Sequence, residues 1–212
     1  MIINIKPNII FEVGVGWPRL SRCLKYFGSD VQCYLFEPIK QFVDEMNIII
    51  HENNIKNIHI QNCAIYDYNG KIEIYNHLEA SSIVGINNPT FQSGETIELG
   101  KKEYINAPAN KGIISVDCFT IDKFDKGNID ILLIDTEGSE YFSLKYLKSL
   151  PYFISIETHM GDKYINPFIK EINEWMYNKY TLFKKTESDS FFIRKDILDL
   201  NLVNNVRLNI EI

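Results

Sequence analysis

The residues that could do chemistry stand at the ends of apolar runs. Glu12 lies in Phe11-Glu12-Val13-Gly14-Val15-Gly16, Glu37 closes Leu35-Phe36-Glu37, Asp135 follows Ile129 to Ile134, and Glu157 precedes Thr158-His159. Glycines where a strand turns into a helix let a ligand approach the backbone closely. A phosphate-binding turn gathers backbone N–H groups and the positive end of a helix around an anion. Glu12, two residues before Gly14, would repel that anion but tolerate a cationic amino or sulfonium group. A dinucleotide fingerprint needs a third glycine three positions after the second, and Arg19 stands there. Glu37 comes 37 − 14 = 23 positions after Gly14, where an acid accepts hydrogen bonds from ribose hydroxyls. The two acids fit S-adenosylmethionine better than NAD.

Asp135-Thr136-Glu137-Gly138-Ser139-Glu140 has two readings. Asp or Thr caps the following helix and the early acids suit its dipole, or Asp135, ending a strand beside the first, faces the reacting end of a bound cofactor. His159 is either a hydrogen-bonded bystander or a base, since imidazole titrates near neutrality and suits removal of a hydroxyl proton. A metal held by Asp135, Glu157 and His159 is conceivable from donor type, but the spacing specifies nothing and no metal is expected. Ser81-Ser82-Ile83 is a polar turn, or a source of hydroxyls for cofactor or substrate.

The elements that must position these residues follow from periodicity. Ile9 to Val13 reads as a buried strand, and Leu20, Cys23, Leu24 and Phe27 as one face of a helix. Val31 to Phe36 is a second strand, Ile39 to Ile50 a helix and Ile58 to Ala64 a third strand, which together make the first half of a doubly wound sheet. Lys71 to Tyr75 alternates like a half-exposed strand. Residues 77–112 are broken by Asn87-Asn88-Pro89, Gly94, Gly100 and Pro108, yet carry Phe91, Tyr104 and Ile105; an irregular stretch this long reads as a lid. A short strand at Ile114 to Val116 and a helical turn near Thr120 to Phe124 lead to the strand Ile129 to Ile134 and a helix to about Ser149. Pro151 to Thr158 is a strand, Phe168 to Met176 a helix, and Thr181 to Phe183 with Phe191 to Ile193 a closing antiparallel pair. The extension 196–212 ends in alternating Val206 to Ile212, suited to a sheet edge or to a partner, a second copy of this chain included.

The 212 residues suit a single α/β domain spanning 1–212, and 45% hydrophobic with 13% aromatic residues suffices for a large core. A net charge of −6 without a long Lys/Arg run argues against nucleic acid as partner. Cys23, Cys33, Cys63 and Cys118 form no Cys-x-x-Cys pair, so they read as buried reduced thiols of a cytoplasmic protein. There is no apolar core of a signal peptide and no membrane-crossing run, so no membrane partner is expected.

Taken together, these stretches resemble the FkbM-type methyltransferases, a branch of the class I S-adenosylmethionine-dependent fold. The matching residues are Phe11-Glu12-Val13-Gly14, Leu35-Phe36-Glu37-Pro38, Asn62-Cys63-Ala64-Ile65 with Asn69-Gly70, Ser81-Ser82-Ile83, Val116-Asp117 through Asp122, Ile134 to Glu140, and Ile156 to His159. The resemblance implies a Rossmann-like α/β fold with a seven-stranded, mostly parallel sheet, helices on both faces and an antiparallel last strand. It implies methyl transfer, commonly to a hydroxyl of a sugar, polyketide or similar metabolite, with S-adenosylhomocysteine as product. By position, Glu12 and Gly14 line the methionine part of the cofactor, Glu37 with Pro38 holds the ribose, Cys63 and Ala64 lie by the adenine, and Asp135 sits near the sulfonium. Where the family continues Gly-Ala-Asn-x-Gly, this chain has Gly16 for the Asn and Pro18 for the second Gly, though Ser21 is retained. Trp17 or Arg19 is then left to serve the methionine end, and Ser82 offers a hydroxyl. For the base, His159 ranks first and Asp135 second. The rival classes are a catalytically silent binding module, a nicotinamide-dependent dehydrogenase and, against the acidic net charge, a nucleic-acid methyltransferase.

Overall fold

The computed structural model describes residues 7–16, 30–76, 81–83, 85, 112–160 and 164–197. In chain order these form β1 (Ile9–Val13), β2 (Gln32–Phe36), α1 (Lys40–Glu52), β3 (Ile58–Gln61), β4 (Ala64–Ile65), β5 (Gly70–Tyr75), β6 (Ser82–Ile83) and β7 (Ile113–Phe119). A 3₁₀ turn at Ile121–Lys123 leads to β8 (Ile131–Ile134), α2 (Tyr141–Lys145), β9 (Phe153–Glu157), β10 (His159–Met160), β11 (Tyr164–Ile165), α3 (Ile169–Met176), β12 (Tyr180–Lys185), β13 (Asp189–Arg194) and α4 (Lys195–Ile197).

The main sheet has seven strands in the order β12-β13-β9-β8-β1-β2-β3. From β3 through β9 every pairing is parallel, and β13 runs antiparallel to both β9 and β12. The last strand of the described residues is thus the reversed one, as the class I methyltransferase pattern requires. Central parallel strands are apolar on both faces because both are covered. Ile10, Cys33, Leu35, Ile131 and Phe153 pack on one side with Phe42 and Met46 of α1. Phe11, Val13, Phe36, Leu132, Ile134, Ile154 and Ile156 pack on the other with Leu144 of α2 and Ile172 and Met176 of α3. Strand alternation alone sends neighbours such as Leu35 and Phe36 to opposite cores.

Three expectations need correction. The run Ile58 to Ala64 is not one strand. β3 ends at Gln61, where the Asn62 side chain donates to the carbonyls of Glu37 (3.0 Å) and Pro38 (3.1 Å). Cys63 N–H then turns back to the Gln61 carbonyl at 2.9 Å, so β4 leaves for a second sheet. That sheet has the order β4-β7-β5-β6. Its β7 is not a short strand, because it pairs antiparallel with all of β5, from Gly70↔Cys118 to Tyr75↔Ile113. The helix expected to reach Ser149 stops at Lys145. The buried Asp125 carboxylate draws the following chain into a loop, accepting from the N–H groups of Lys148 and Ser149, both at 2.7 Å. Residues 77–80, 84 and 86–111 of the lid segment, the helix expected around Leu20 to Phe27, and residues 198–212 of the extension lie outside the described residues.

Candidate active site

The site begins as a row across four parallel strands. Beyond the last paired residues, Gly14 N–H donates to the Phe36 carbonyl (3.0 Å), Asp135 N–H to the Val13 carbonyl (2.9 Å) and Glu37 N–H to the Gln61 carbonyl (3.1 Å). The register that pairs Val13 with Phe36 and Ile134, and Ile134 with Ile156, therefore brings Glu37, Gly14, Asp135 and Glu157 side by side at the carboxyl ends. Ligands of open α/β sheets bind there. Gly14 has φ +79°, and a Cβ built on it would stand 1.7 Å from the Asp135 carbonyl oxygen. Only glycine lets β1 and β8 close up at this point, and it leaves a gap between acidic neighbours.

The crevice over this row is lined by the backbone from Val13 to Gly16, by Glu37 and Pro38, and by Asp135, Thr136, Glu137 and Ser139. The second sheet supplies its other wall through Ala64, Ile65, Ile74 and the segment Ser81 to Ile83. Glu37 is held tightly: Oε2 accepts from Gly16 N–H at 2.8 Å and Oε1 from Ile39 N–H at 2.7 Å. Burial nevertheless pushes its carboxyl up to about 7, against the hydrogen bonds from Ile39, Gly16 and Val15. Glu140 is fully buried and shapes the turn after Asp135. Its Oε1 accepts from the N–H groups of Thr136 (2.9 Å) and Gly138 (3.1 Å), and its Oε2 from the Asn166 side chain. Glu137 within that turn has φ 55°, a left-handed conformation that a side chain rarely adopts and that marks a constrained loop.

The residues present fit S-adenosylmethionine. Glu37 keeps lone pairs for ribose hydroxyls beyond the two backbone donors it serves. Ser82 Oγ and Thr136 Oγ1 line the crevice, are buried and have no hydrogen-bond partner, which is what groups awaiting a polar ligand look like. Asp135 and Glu137 place negative charge where a sulfonium would be welcome.

Of the sequence-predicted site residues, Gly14, Gly16, Glu37, Pro38, Ala64, Ser82 and Asp135 line this one crevice. Glu12 is buried one residue before the lining begins. Cys63 sits beside the lining residue Ala64, but its side chain packs into the core and burial pushes the thiol up to about 12. His159 does not line the crevice: its ring bonds to Thr158 Oγ1 (2.7 Å) and the Thr186 carbonyl (3.0 Å), tying β10 to the β12–β13 turn. Trp17 and Ser21 lie outside the described residues. Among the described residues no cluster of His, Cys, Asp and Glu could hold a metal ion. Ile74 escaped sequence reasoning as a site residue, although the alternation of Lys71 to Tyr75 already puts Ile72 and Ile74 on one side.

The model of the FkbM methyltransferase domain matches residues 5–184 of the chain. The chain belongs to the FkbM methyltransferase family. This FkbM domain matches no curated protein. Among solved structures it is similar to SMU.1697c of Streptococcus mutans, described as a methyltransferase in complex with SAH, at 11% identity over 89% of this chain and 89% of that one, with a TM-score of 0.48. It is also similar to a SAM-dependent methyltransferase of Aquifex aeolicus, at 11% identity over 90% and 84% of the two chains and a TM-score of 0.44. A precorrin-6y C5,15-methyltransferase of Geobacter metallireducens shows 10% identity over 89% and 79%, with a TM-score of 0.42. Membership of the family rests on the sequence match alone.

Glu157, the outer member of the row, is buried and its Oε2 has no hydrogen-bond partner. Burial, and then the charges of Asp135, Glu140, Glu137 and Asp189, push its carboxyl up to about 10. The folded protein holds this proton where the unfolded chain does not, so stability falls as pH rises from about 4.5 toward 10. Glu157→Gln should therefore leave stability near pH 4 unchanged and raise it at pH 8 by up to about 5 kcal/mol. Urea unfolding at both pH values checks this; equal shifts at both would show that the effect is not ionisation.

Proposed function

We propose that this chain uses S-adenosylmethionine to methylate a hydroxyl oxygen of a sugar, glycan or other small metabolite in the cytoplasm. The observation that carries the cofactor is the closed approach of Gly14 to the Asp135 carbonyl, with Glu37 on one side and Asp135 on the other. Glu37 takes the ribose, Ser82 and the Ala64–Ile65 strand border the adenosine end, and Asp135 stands at the reacting end. Oxygen as the accepting atom rests on the family resemblance, and the cytoplasm on the buried thiols of Cys33, Cys63 and Cys118. No helix of the described residues is long and apolar enough to cross a membrane.

S-adenosylmethionine supplies a methyl carbon already activated by its positive sulfur. The chain's part is to align the acceptor with that carbon and exclude water. Asp135, the acid of the crevice nearest this end by sequence position, replaces His159 as the leading candidate to accept the hydroxyl proton, because His159 is occupied at the hairpin. Asp135→Asn should lower turnover about 100-fold or more, whereas His159→Ala should keep turnover within a few fold. The reverse ranking in a methyl-transfer assay would return the role to His159.

The reading is tested by calorimetric titration with S-adenosylmethionine and S-adenosylhomocysteine. Micromolar affinity, about −8 kcal/mol, is expected for both. Labelled methyl from the cofactor should then appear on hydroxyl-bearing acceptors. Folded protein that binds neither ligand would leave a silent binding module as the better description, and label recovered on amines alone would remove oxygen as the accepting atom.

A further inference from the structure

Glu157 has no part in the contacts just assigned, yet the fold puts it in the same row. The pairing of Ile134 with Ile156 makes it the immediate neighbour of Asp135, and β13 sets Asp189 directly opposite it. Glu140 and Glu137 act on it from the turn before α2, and the Tyr164 ring from β11 is buried nearby with its hydroxyl unpartnered. The groups that act on it most strongly are all acidic: Asp135, Glu140, Glu137 and Asp189. Glu157 itself is only 7% exposed, and its Oε2 finds no hydrogen-bond donor. A row of acids alone would say little. A carboxyl locked among acids with an unmatched buried oxygen is different, because an arriving positive charge lets it ionise.

We propose that Glu157 senses the charge of the cofactor site, losing its proton when a cation is bound beside Asp135 and regaining it when that site becomes neutral. The inference rests on the cofactor reading above. In the empty protein the carboxylic acid keeps its proton, because two adjacent carboxylates in a dry site resist ionising together. A sulfonium offsets the field of Asp135, so the Glu157 O–H bond breaks and the proton passes to solvent. Methyl transfer leaves a neutral thioether, and Glu157 takes a proton back. The cationic cofactor is thereby favoured over its neutral product, about twofold when it brings Glu157 to its midpoint and about tenfold more for each pH unit that midpoint falls below the ambient pH. Glu37 also titrates as the ribose binds, but cofactor and product carry the same ribose and its contribution is common to both.

The test is calorimetry of the intact protein at pH 8.5 in buffers of different ionisation enthalpy, which counts the protons released per ligand bound. Three ligands are compared: S-adenosylmethionine, S-adenosylhomocysteine, and an analogue with an ammonium group in place of the methylsulfonium. The two cations should release more protons than S-adenosylhomocysteine, by roughly half a proton or more, the sign of a group brought near its midpoint. Glu157→Gln should abolish that difference and keep the release common to all three. It should also lower the preference for S-adenosylmethionine over S-adenosylhomocysteine, about twofold where half a proton is released and about tenfold where release is nearly complete. Equal release by all three ligands in the unmodified protein would overturn the proposal even if the variant does not fold. A difference that survives in Glu157→Gln would assign the proton to another group. Absence of binding by every ligand would instead sink the cofactor reading, and this inference with it.

Discussion

Gly14→Ala should cost the protein both stability and cofactor binding. The added methyl would sit 1.7 Å from the Asp135 carbonyl oxygen, and the neighbouring atom is backbone, which cannot rotate away. β1 and β8 would have to part just where Asp135 N–H holds the Val13 carbonyl at 2.9 Å. Residues at φ +79° pay a further cost for any side chain. Overpacking of about 1–3 kcal/mol and left-handed strain of about 1–3 kcal/mol together predict roughly 3 kcal/mol or more of lost stability. For a domain of this size that is about 6–12 °C in melting temperature. Gly127→Ala is the control, because Gly127 also has a left-handed φ of +82° but meets nothing within 4 Å. It should pay only the strain. If thermal unfolding shows the two variants equally affected, the contact with Asp135 is not what makes Gly14 necessary. Cofactor binding should fail in Gly14→Ala even at temperatures where it stays folded, since the row of Glu37, Gly14 and Asp135 would be spread apart.

Glu37→Gln should weaken cofactor binding about 100-fold or more while leaving the fold intact. The carboxylate accepts from Gly16 N–H and Ile39 N–H and, on the present reading, from ribose hydroxyls as well. An amide keeps one oxygen and turns its other end into a donor facing donors. Charge-assisted hydrogen bonds of about 1.5–3 kcal/mol are lost or inverted. The pH dependence carries the signature. With its carboxyl raised to about 7 by burial, Glu37 is half protonated near neutrality in the empty protein, and only the ionised form accepts from every donor. Affinity should therefore rise as pH goes from about 6 to 8 and level off above, and should be flat over that range in Glu37→Gln. Stability runs the other way. The folded protein holds the proton up to a higher pH than the unfolded chain, so the Glu37 contribution falls as pH rises from 4.5 through 7. A wild-type affinity that ignores pH over this range would mean that the Glu37 carboxyl does not titrate there or does not meet the ligand.

The row of acids was legible in the chain before any coordinates, because each member terminates an apolar run. Glu37 and Asp135 could be placed at strand ends from periodicity alone, and strand ends of a doubly wound sheet face one crevice. The same logic named His159 as a base, and there it stopped short. Local pattern places a residue at a strand end but does not say what its side chain meets. The imidazole is occupied by Thr158 and by the Thr186 carbonyl, which comes from a hairpin nearly thirty residues later in the chain. Nor does local pattern resolve whether Glu140 caps a helix or serves the site. The carboxylate holds the turn through Thr136 and Gly138, using an Asn166 brought back by the strands after Glu157.

By itself, the sequence determined the parallel core, its two apolar faces and the family, since these depend on alternation and on motifs read within short windows. The tertiary structure decided which acids share a face, that β4 to β7 make a separate sheet that walls the crevice, and which carboxyls are ionised. Those properties arise from register between distant strands and from burial. A carboxyl's proton answers to every charge and every water within several ångströms, and the chain reveals those neighbours only once it has folded.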